Sequence, residues 1–366
     1  MEEGAQIIPS LLEKGARALL IPVNGYLITI SRVISFLALE IGGLEHYPAT
    51  STALGLVFTA AVFAWIGTAP LIVRGTWLLP LAVALVPSDV EVFVVAQYSF
   101  WFAGLALFSL VLWRADDRSR VSARVAVALV CGLSNPIVVP VALIGAVRAL
   151  ATRARHDVII AVALAIPAMA QLWMIHASPG ISAMPSVADA SLAMARFLAY
   201  PLLLGFTDWP ASAWIWVAAS LHALALVGLL IPADSRRRRL ALVGLFLLSA
   251  VSSVLRCQPP TLMHPAWAGP RYFFFPFVFL NWIWLDALLS GRTHLNRLVP
   301  ATVAALILIS TSRHFNRRHQ HLDWKGAVRD LSTQGQATFP VHYDGSREHQ
   351  WKVKLARCGN RICQVF

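Results

Sequence analysis

The sequence predicts an all-α polytopic membrane protein with a small external C-terminal tail that contains a short β-hairpin. Of its 366 residues, 58% are hydrophobic and 13% charged, with a mean hydropathy of +0.66. A soluble domain carries about 25% charged residues. Apolar runs near the ~20 residues that cross a bilayer core as a helix recur between positions 51 and 309. Arginines gather in the loops between them, as they do in cytoplasmic loops. The chain divides into an external acidic and amphipathic segment (1–50), a transmembrane helical domain (51–310) and an external basic tail (311–366).

The net charge of +12 does not indicate nucleic acid, because positive-inside bias accounts for it. Residues 51–73 hold the first clear span, and a shorter apolar piece, 77–86, follows Arg74. Residues 92–113 read as one span that ends in a charged loop from Arg114 to Arg120. The stretch 121–150 is flanked by arginines on both sides and broken by Ser134-Asn135-Pro136 and Pro140. Proline removes a backbone donor and clashes with the preceding turn. Two readings follow: a pair of short helices that enters and returns, or a single kinked span. A broken backbone at membrane depth has to face protein or a cavity.

Span 158–175 then leads out to an external stretch with an interfacial helix over 188–204. Spans 213–231, 240–255, 272–289 and 298–309 complete the set, with the arginine run Arg236 to Arg239 inside. This alternation places both termini outside. Met1 opens neither a basic start nor an apolar signal core, so a first span is expected upstream of it.

In the tail, 337–343 and 351–355 alternate as strands and are bridged by Asp344-Gly345-Ser346. Cys358 and Cys363 are expected to pair with each other if the tail is extracytoplasmic. No Cys-x-x-Cys motif points to a metal. The tryptophans, among them Trp101, Trp113, Trp173, Trp209, Trp214, Trp216, Trp282 and Trp284, read first as an interface belt and second as a sugar-stacking surface. Asn135, Gln171, His222, Asn281 and Asp286 are polar groups in apolar runs. Such groups face a bundle interior or a cavity, and interhelical hydrogen bonds account for them without catalysis.

The first thirty-two residues concentrate polar chemistry beside the membrane: Met1-Glu2-Glu3-Gly4, then Pro22-Val23-Asn24-Gly25-Tyr26-Leu27, then Ser31-Arg32. Taken alone, two N-terminal glutamates are a solvated terminus. With Pro87-Ser88-Asp89, Gly132-Leu133-Ser134-Asn135-Pro136 and Arg271-Tyr272-Phe273-Phe274, the set resembles the motifs of bacterial multi-spanning membrane glycosyltransferases of the GT-C type. The chain departs from that pattern in having Glu3 where Asp is commoner and Ser31 where Pro is expected.

The resemblance implies a GT-C-like helical bundle in the bacterial cytoplasmic (inner) membrane, working in polysaccharide biosynthesis. The implied reaction is an inverting transfer of a sugar from a polyprenyl-phosphate donor to an extracytoplasmic glycan or lipid acceptor. Its partners are membrane lipid, that donor and that acceptor. It calls for no cofactor and leaves a divalent cation open. Glu3 is then the general base, with Glu2 as the alternative. Arg271, with Tyr272, holds the donor phosphate, since arginine binds phosphate bidentately. Arg32, Tyr26 and His264 are further substrate-binding candidates, and Trp267 stands near His264. Arg271 and Arg32 each have a plainer reading, as interfacial arginines reaching for headgroups. The competing functions are a transporter or flippase for a lipid-linked glycan, and a non-catalytic fragment of the family.

Overall fold

A computed structural model describes residues 6–88, 91–177, 185–207, 210–257, 263–265, 269–291, 293–314, 322–342, 351–359 and 361–365. Glu2 and Glu3 lie outside these residues, as do Trp209, Trp267 and the Asp344-Gly345-Ser346 bridge.

A short helix α1 (Ile8–Lys14) and a 3₁₀ turn lead into α2 (Thr29–Thr68). The helix that carries the predicted span thus begins 22 residues before position 51. It bends at Gly43, whose φ of 60° and ψ of −174° suit glycine alone. Next come α3 (Leu79–Ala84), α4 (Glu91–Val94) and α5 (Ser99–Val111). The expected single span over 92–113 is therefore broken. Val95 is extended, and the carbonyl of Gln97 accepts the Ser31 hydroxyl at 2.6 Å.

The stretch 121–150 forms α6 (Val121–Gly132) and α7 (Val138–Thr152). Arg124, near the start of α6, lies 3.7 Å from the carboxylate of Asp157, and Arg148, near the end of α7, lies 3.1 Å from the same oxygen. The chain therefore enters and returns. At 12 and 15 residues and 1.5 Å per residue, the two arms are about 18 and 22 Å long, too short to cross a bilayer core of ~30 Å.

The rest of the bundle is α8 (Arg155–Ala177), α9 (Val187–Leu203), α10 (Ser212–Leu230), α11 (Ala233–Arg256), α12 (Phe274–Ser290) and α13 (His294–His314). Ser186 caps α9 by accepting the Asp189 amide at 3.1 Å. Among the described residues, five helical stretches are long and apolar enough to cross a membrane: Thr29–Thr68, Arg155–Ala177, Ser212–Leu230, Ala233–Arg256 and Pro270–Ser290. The chain is read as a helical membrane protein on this ground.

One end of the bundle collects the arginine loops. Arg120 donates to Thr68 there, and Arg238 and Arg239 approach Asp286 at 3.2 and 3.4 Å. The opposite end carries α1, the first half of α2 and the tail. In the tail, α14 (Trp324–Gln334) precedes β1 (Gln336–His342), β2 (Trp351–Cys358) and β3 (Arg361–Gln364), an antiparallel sheet in the order β1-β2-β3. The tail thus holds a third strand and a helix beyond the expected hairpin. Cys358 and Cys363 are joined across the β2–β3 turn. Trp324 fixes the tail to the bundle: its indole donates to the Leu44 carbonyl at 2.7 Å, and its ring stacks on Tyr47.

The polar groups within apolar runs close this framework. Gln171 accepts from the Leu27 amide at 2.9 Å and donates to the carbonyls of Leu27 and Gly132. Asn281 donates to the Ala82 carbonyl at 2.8 Å. Trp284 donates to His222 at 2.8 Å, and the other ring nitrogen of His222 faces the Leu198 carbonyl. The tryptophans split into two sets. Trp173 and Trp214 are exposed, whereas Trp101, Trp113, Trp282 and Trp284 are core. Burial in the core removes the latter from any interface belt.

Candidate functional site

The tip of the α6–α7 hairpin is a backbone break held in place by hydrogen bonds to α2 and α5. Asn135 donates to the Phe100 carbonyl at 2.8 Å and accepts the Ile137 amide at 2.9 Å. Ser134 accepts the Ile30 amide at 3.0 Å, and Thr29 donates to the Leu133 carbonyl at 2.9 Å. These bonds satisfy polar groups that the missing helical turn leaves open. One side of the tip faces a cavity of about 490 Å³, with Asn135, Pro136 and Pro140 on its wall. That volume lies within the range of small-molecule sites, roughly 300–1,000 Å³.

Four other pieces of chain complete the wall. Asn24 and Tyr26 come from a tight turn in which Val23 and Tyr26 exchange both backbone hydrogen bonds. Asn24 and Gly25 both have positive φ, which a type I′ turn requires and which the pair Asn-Gly adopts with little strain. Tyr98, Phe100 and Trp101 enter from the 3₁₀ turn Ala96–Tyr98 and the start of α5, and Arg271, Tyr272 and Phe275 from the 3₁₀ turn Pro270–Phe273 and the start of α12. The last turns of α11 supply Ser249, Ser252, Ser253 and Arg256.

Two cations border this space. Arg271 donates to the Tyr98 hydroxyl at 3.1 Å and lies over the Tyr272 ring, 5.3 Å from its centroid. Arg256 is exposed and lies 5.0 Å over the ring of Tyr26. Beside them, burial pushes the Cys257 thiol above its ordinary pKa of 9.0, and the Arg271 charge partly opposes that rise. Depth separates the wall into zones. Arg256, Asn24 and Tyr26 sit at the open end, whereas Trp101, Asn135, Ser249 and Ser253 are buried. Ser249 precedes Arg256 by seven residues, so the inner zone lies about 10 Å further down the α11 axis.

The structure therefore brings Tyr26, Arg271 and Tyr272 together. Arg32 and His264 are elsewhere. Arg32 is buried and donates to Ser10 at 2.8 Å, tying α1 to α2. His264 is buried edge-on against Tyr200, 5.1 Å between centroids. Glu2 and Glu3 fall outside the described residues. Sequence reading missed Arg256, Tyr98 and the serines, and placed Trp101 first in an interface belt. One signal could have found the α11 residues: Ser249, Ser252, Ser253 and Arg256 recur at i, i+3, i+4 and i+7 on an otherwise apolar span, which is one face of a helix.

Among the described residues, no three His, Cys, Asp or Glu side chains gather as a metal site. Compared with known proteins, the chain matches no protein-family model, no curated protein and no solved structure.

Proposed function

We propose that this cavity is the donor site of a membrane glycosyltransferase, which moves a sugar from a polyprenyl phosphate to an extracytoplasmic glycan or lipid acceptor. The observation that carries the reading is the placement of Arg256 and Arg271 on one cavity, at the end of the bundle away from the arginine loops. Positive-inside bias puts those loops in the cytoplasm. The cavity then opens outward, at the level where the phosphate of an outer-leaflet lipid lies.

Arg271 is already oriented by Tyr98 and Tyr272, so little of its freedom is lost on binding. A guanidinium there binds the donor phosphate and stabilises the charge that grows on it as the sugar departs. Arg256 adds a second cation from the end of α11. The acceptor hydroxyl needs a base within about 3 Å. The acidic motif at Glu2 and Glu3 precedes α1, which Arg32 anchors to α2, and Glu3 is the proposed base.

The test is single-turnover transfer from a short-chain citronellyl-phosphoryl sugar by the reconstituted protein. Wild type should transfer. Glu3→Gln should abolish transfer while keeping donor affinity, because the amide preserves shape and cannot take the proton. Glu2→Gln should be close to neutral. Full transfer by Glu3→Gln contradicts the assigned base, and no transfer by wild type contradicts the activity.

A further inference from the structure

The wall of the cavity has unequal heights. On one side α11, with 24 residues and about 36 Å of length, carries Arg256 across the whole ~30 Å hydrocarbon core to the mouth. On the other side, Pro140 precedes Thr152, the cytoplasmic end of α7, by 12 residues, so it stands only about 18 Å above that end. Pro136, Ile137 and Pro140 therefore form a sill near mid-membrane, and the hairpin itself covers none of the cavity's side above it.

The surfaces that meet at this side are apolar and open. Leu255 lines the cavity and is 41% exposed, and the exposed Leu247, Val251 and Leu255 recur at i, i+4 and i+8 on one face of α11. Beyond the sill, the exposed Leu143, Val147 and Leu150 recur at i, i+4 and i+7 on one face of α7. This second stripe begins one turn after Pro140 and descends toward the cytoplasmic end, so it runs through the inner half of the core. The cavity, at about 490 Å³, has the size of a site for a drug-sized molecule. A prenyl chain of twenty or more carbons is longer than the cavity is deep, and the hydrophobic effect opposes leaving its remainder in water.

We propose that the sill is a lateral portal, over which the hydrocarbon chain of a prenyl phosphate leaves the cavity at Pro136 and Pro140 and runs down the Leu143, Val147 and Leu150 stripe of α7. The inference rests on the donor-site reading and adds to it the route of the chain. The phosphate stays at the mouth, the first part of the chain fills the cavity, and the rest never leaves the bilayer. The re-entrant hairpin is thus short for a reason: an arm that crossed the whole core would wall the chain in.

The experiment uses the full-length protein in nanodiscs and a twenty-carbon prenyl phosphate with a diazirine at the far end of its chain. After irradiation, mass spectrometry maps the attachment sites with and without excess citronellyl phosphate, whose short chain competes for the cavity. The reference for ordinary lipid contact is α10, whose Leu221 and Leu224 are exposed and absent from the cavity wall. Labelling of α7 between Leu143 and Leu150 should exceed that of α10, and citronellyl phosphate should remove the excess. Binding of both phosphates to wild type is measured separately by titration. If both bind, yet citronellyl phosphate removes label equally from α7 and α10, from another helix alone, or from none, the portal is overturned and the phosphate site stands. If neither phosphate binds wild type, the donor-site reading fails and the portal falls with it.

Discussion

The guanidinium of Arg256 lies 5.0 Å from the centroid of the Tyr26 ring, which joins the end of α11 to the N-terminal type I′ turn across the mouth of the cavity. A cation over a tyrosine face is attracted by the ring quadrupole, on the order of 0.5–1 kcal/mol at an exposed site. The contact is therefore strong enough to orient Arg256 and weak enough to yield to a phosphate.

The re-entrant hairpin depends on Asp157. Arg124 and Asp157 are fully buried, and removing one partner of a buried ion pair leaves an uncompensated charge at about 3–5 kcal/mol. Asp157→Asn should lower stability by about 3 kcal/mol. Thermal unfolding in nanodiscs measures this, and an unchanged midpoint would show that the two arginines are satisfied in another way.

Gly104 sets how closely α5 meets the hairpin tip. A Cβ at this position would sit 2.9 Å from Asn135 Nδ2 and closer still to the Phe275 ring. Gly104→Ala should cost roughly 1–3 kcal/mol, the usual range for overpacking. It should also displace Phe275 from the cavity wall. Wild-type stability in this variant would mean that the Phe275 ring moves aside freely.

Cys257 reports the charge of Arg271. Burial favours the neutral thiol and Arg271 favours the thiolate, with burial the larger effect. Alkylation should therefore climb with pH through neutrality and keep climbing beyond pH 9.0, the ordinary thiol pKa. In Arg271→Ala the thiolate loses its cation, so the profile should move to higher pH. Stopped-flow alkylation across pH, with Cys131→Ser as background, reads it. A profile that stays in place would put Arg271 too far away to influence the thiol.

Composition and apolar runs are enough to locate most helices, because the bilayer demands long apolar segments whatever their neighbours are. The hairpin at 121–150 is legible in part: arginines on both flanks and Pro136 in the middle suggest a return. What decides it is Asp157, whose pairing with Arg124 and Arg148 is a tertiary fact. The break before α5 is not legible, because it follows from a hydrogen bond between Ser31 and a carbonyl 66 residues away. In the site, Tyr26 stands out as part of the motif Pro22-Val23-Asn24-Gly25-Tyr26-Leu27, and Arg271 and Tyr272 as polar groups at a span end. Arg256 carries the same signal but reads as an ordinary loop cation. Trp101 hides among aromatic residues.

Affinity for a lipid phosphate that bears no sugar tests the central claim most directly. Isothermal titration of citronellyl phosphate into the reconstituted protein would compare wild type with Arg271→Ala, Arg256→Ala and the double variant. Charge-assisted hydrogen bonds contribute roughly 1.5–3 kcal/mol, so Arg271→Ala should weaken binding at least about tenfold. The exposed Arg256 should contribute less, because solvent screens it, and the double variant should bind no better than a vesicle blank. Wild-type affinity in both single variants would contradict the account and leave the two arginines as interfacial side chains.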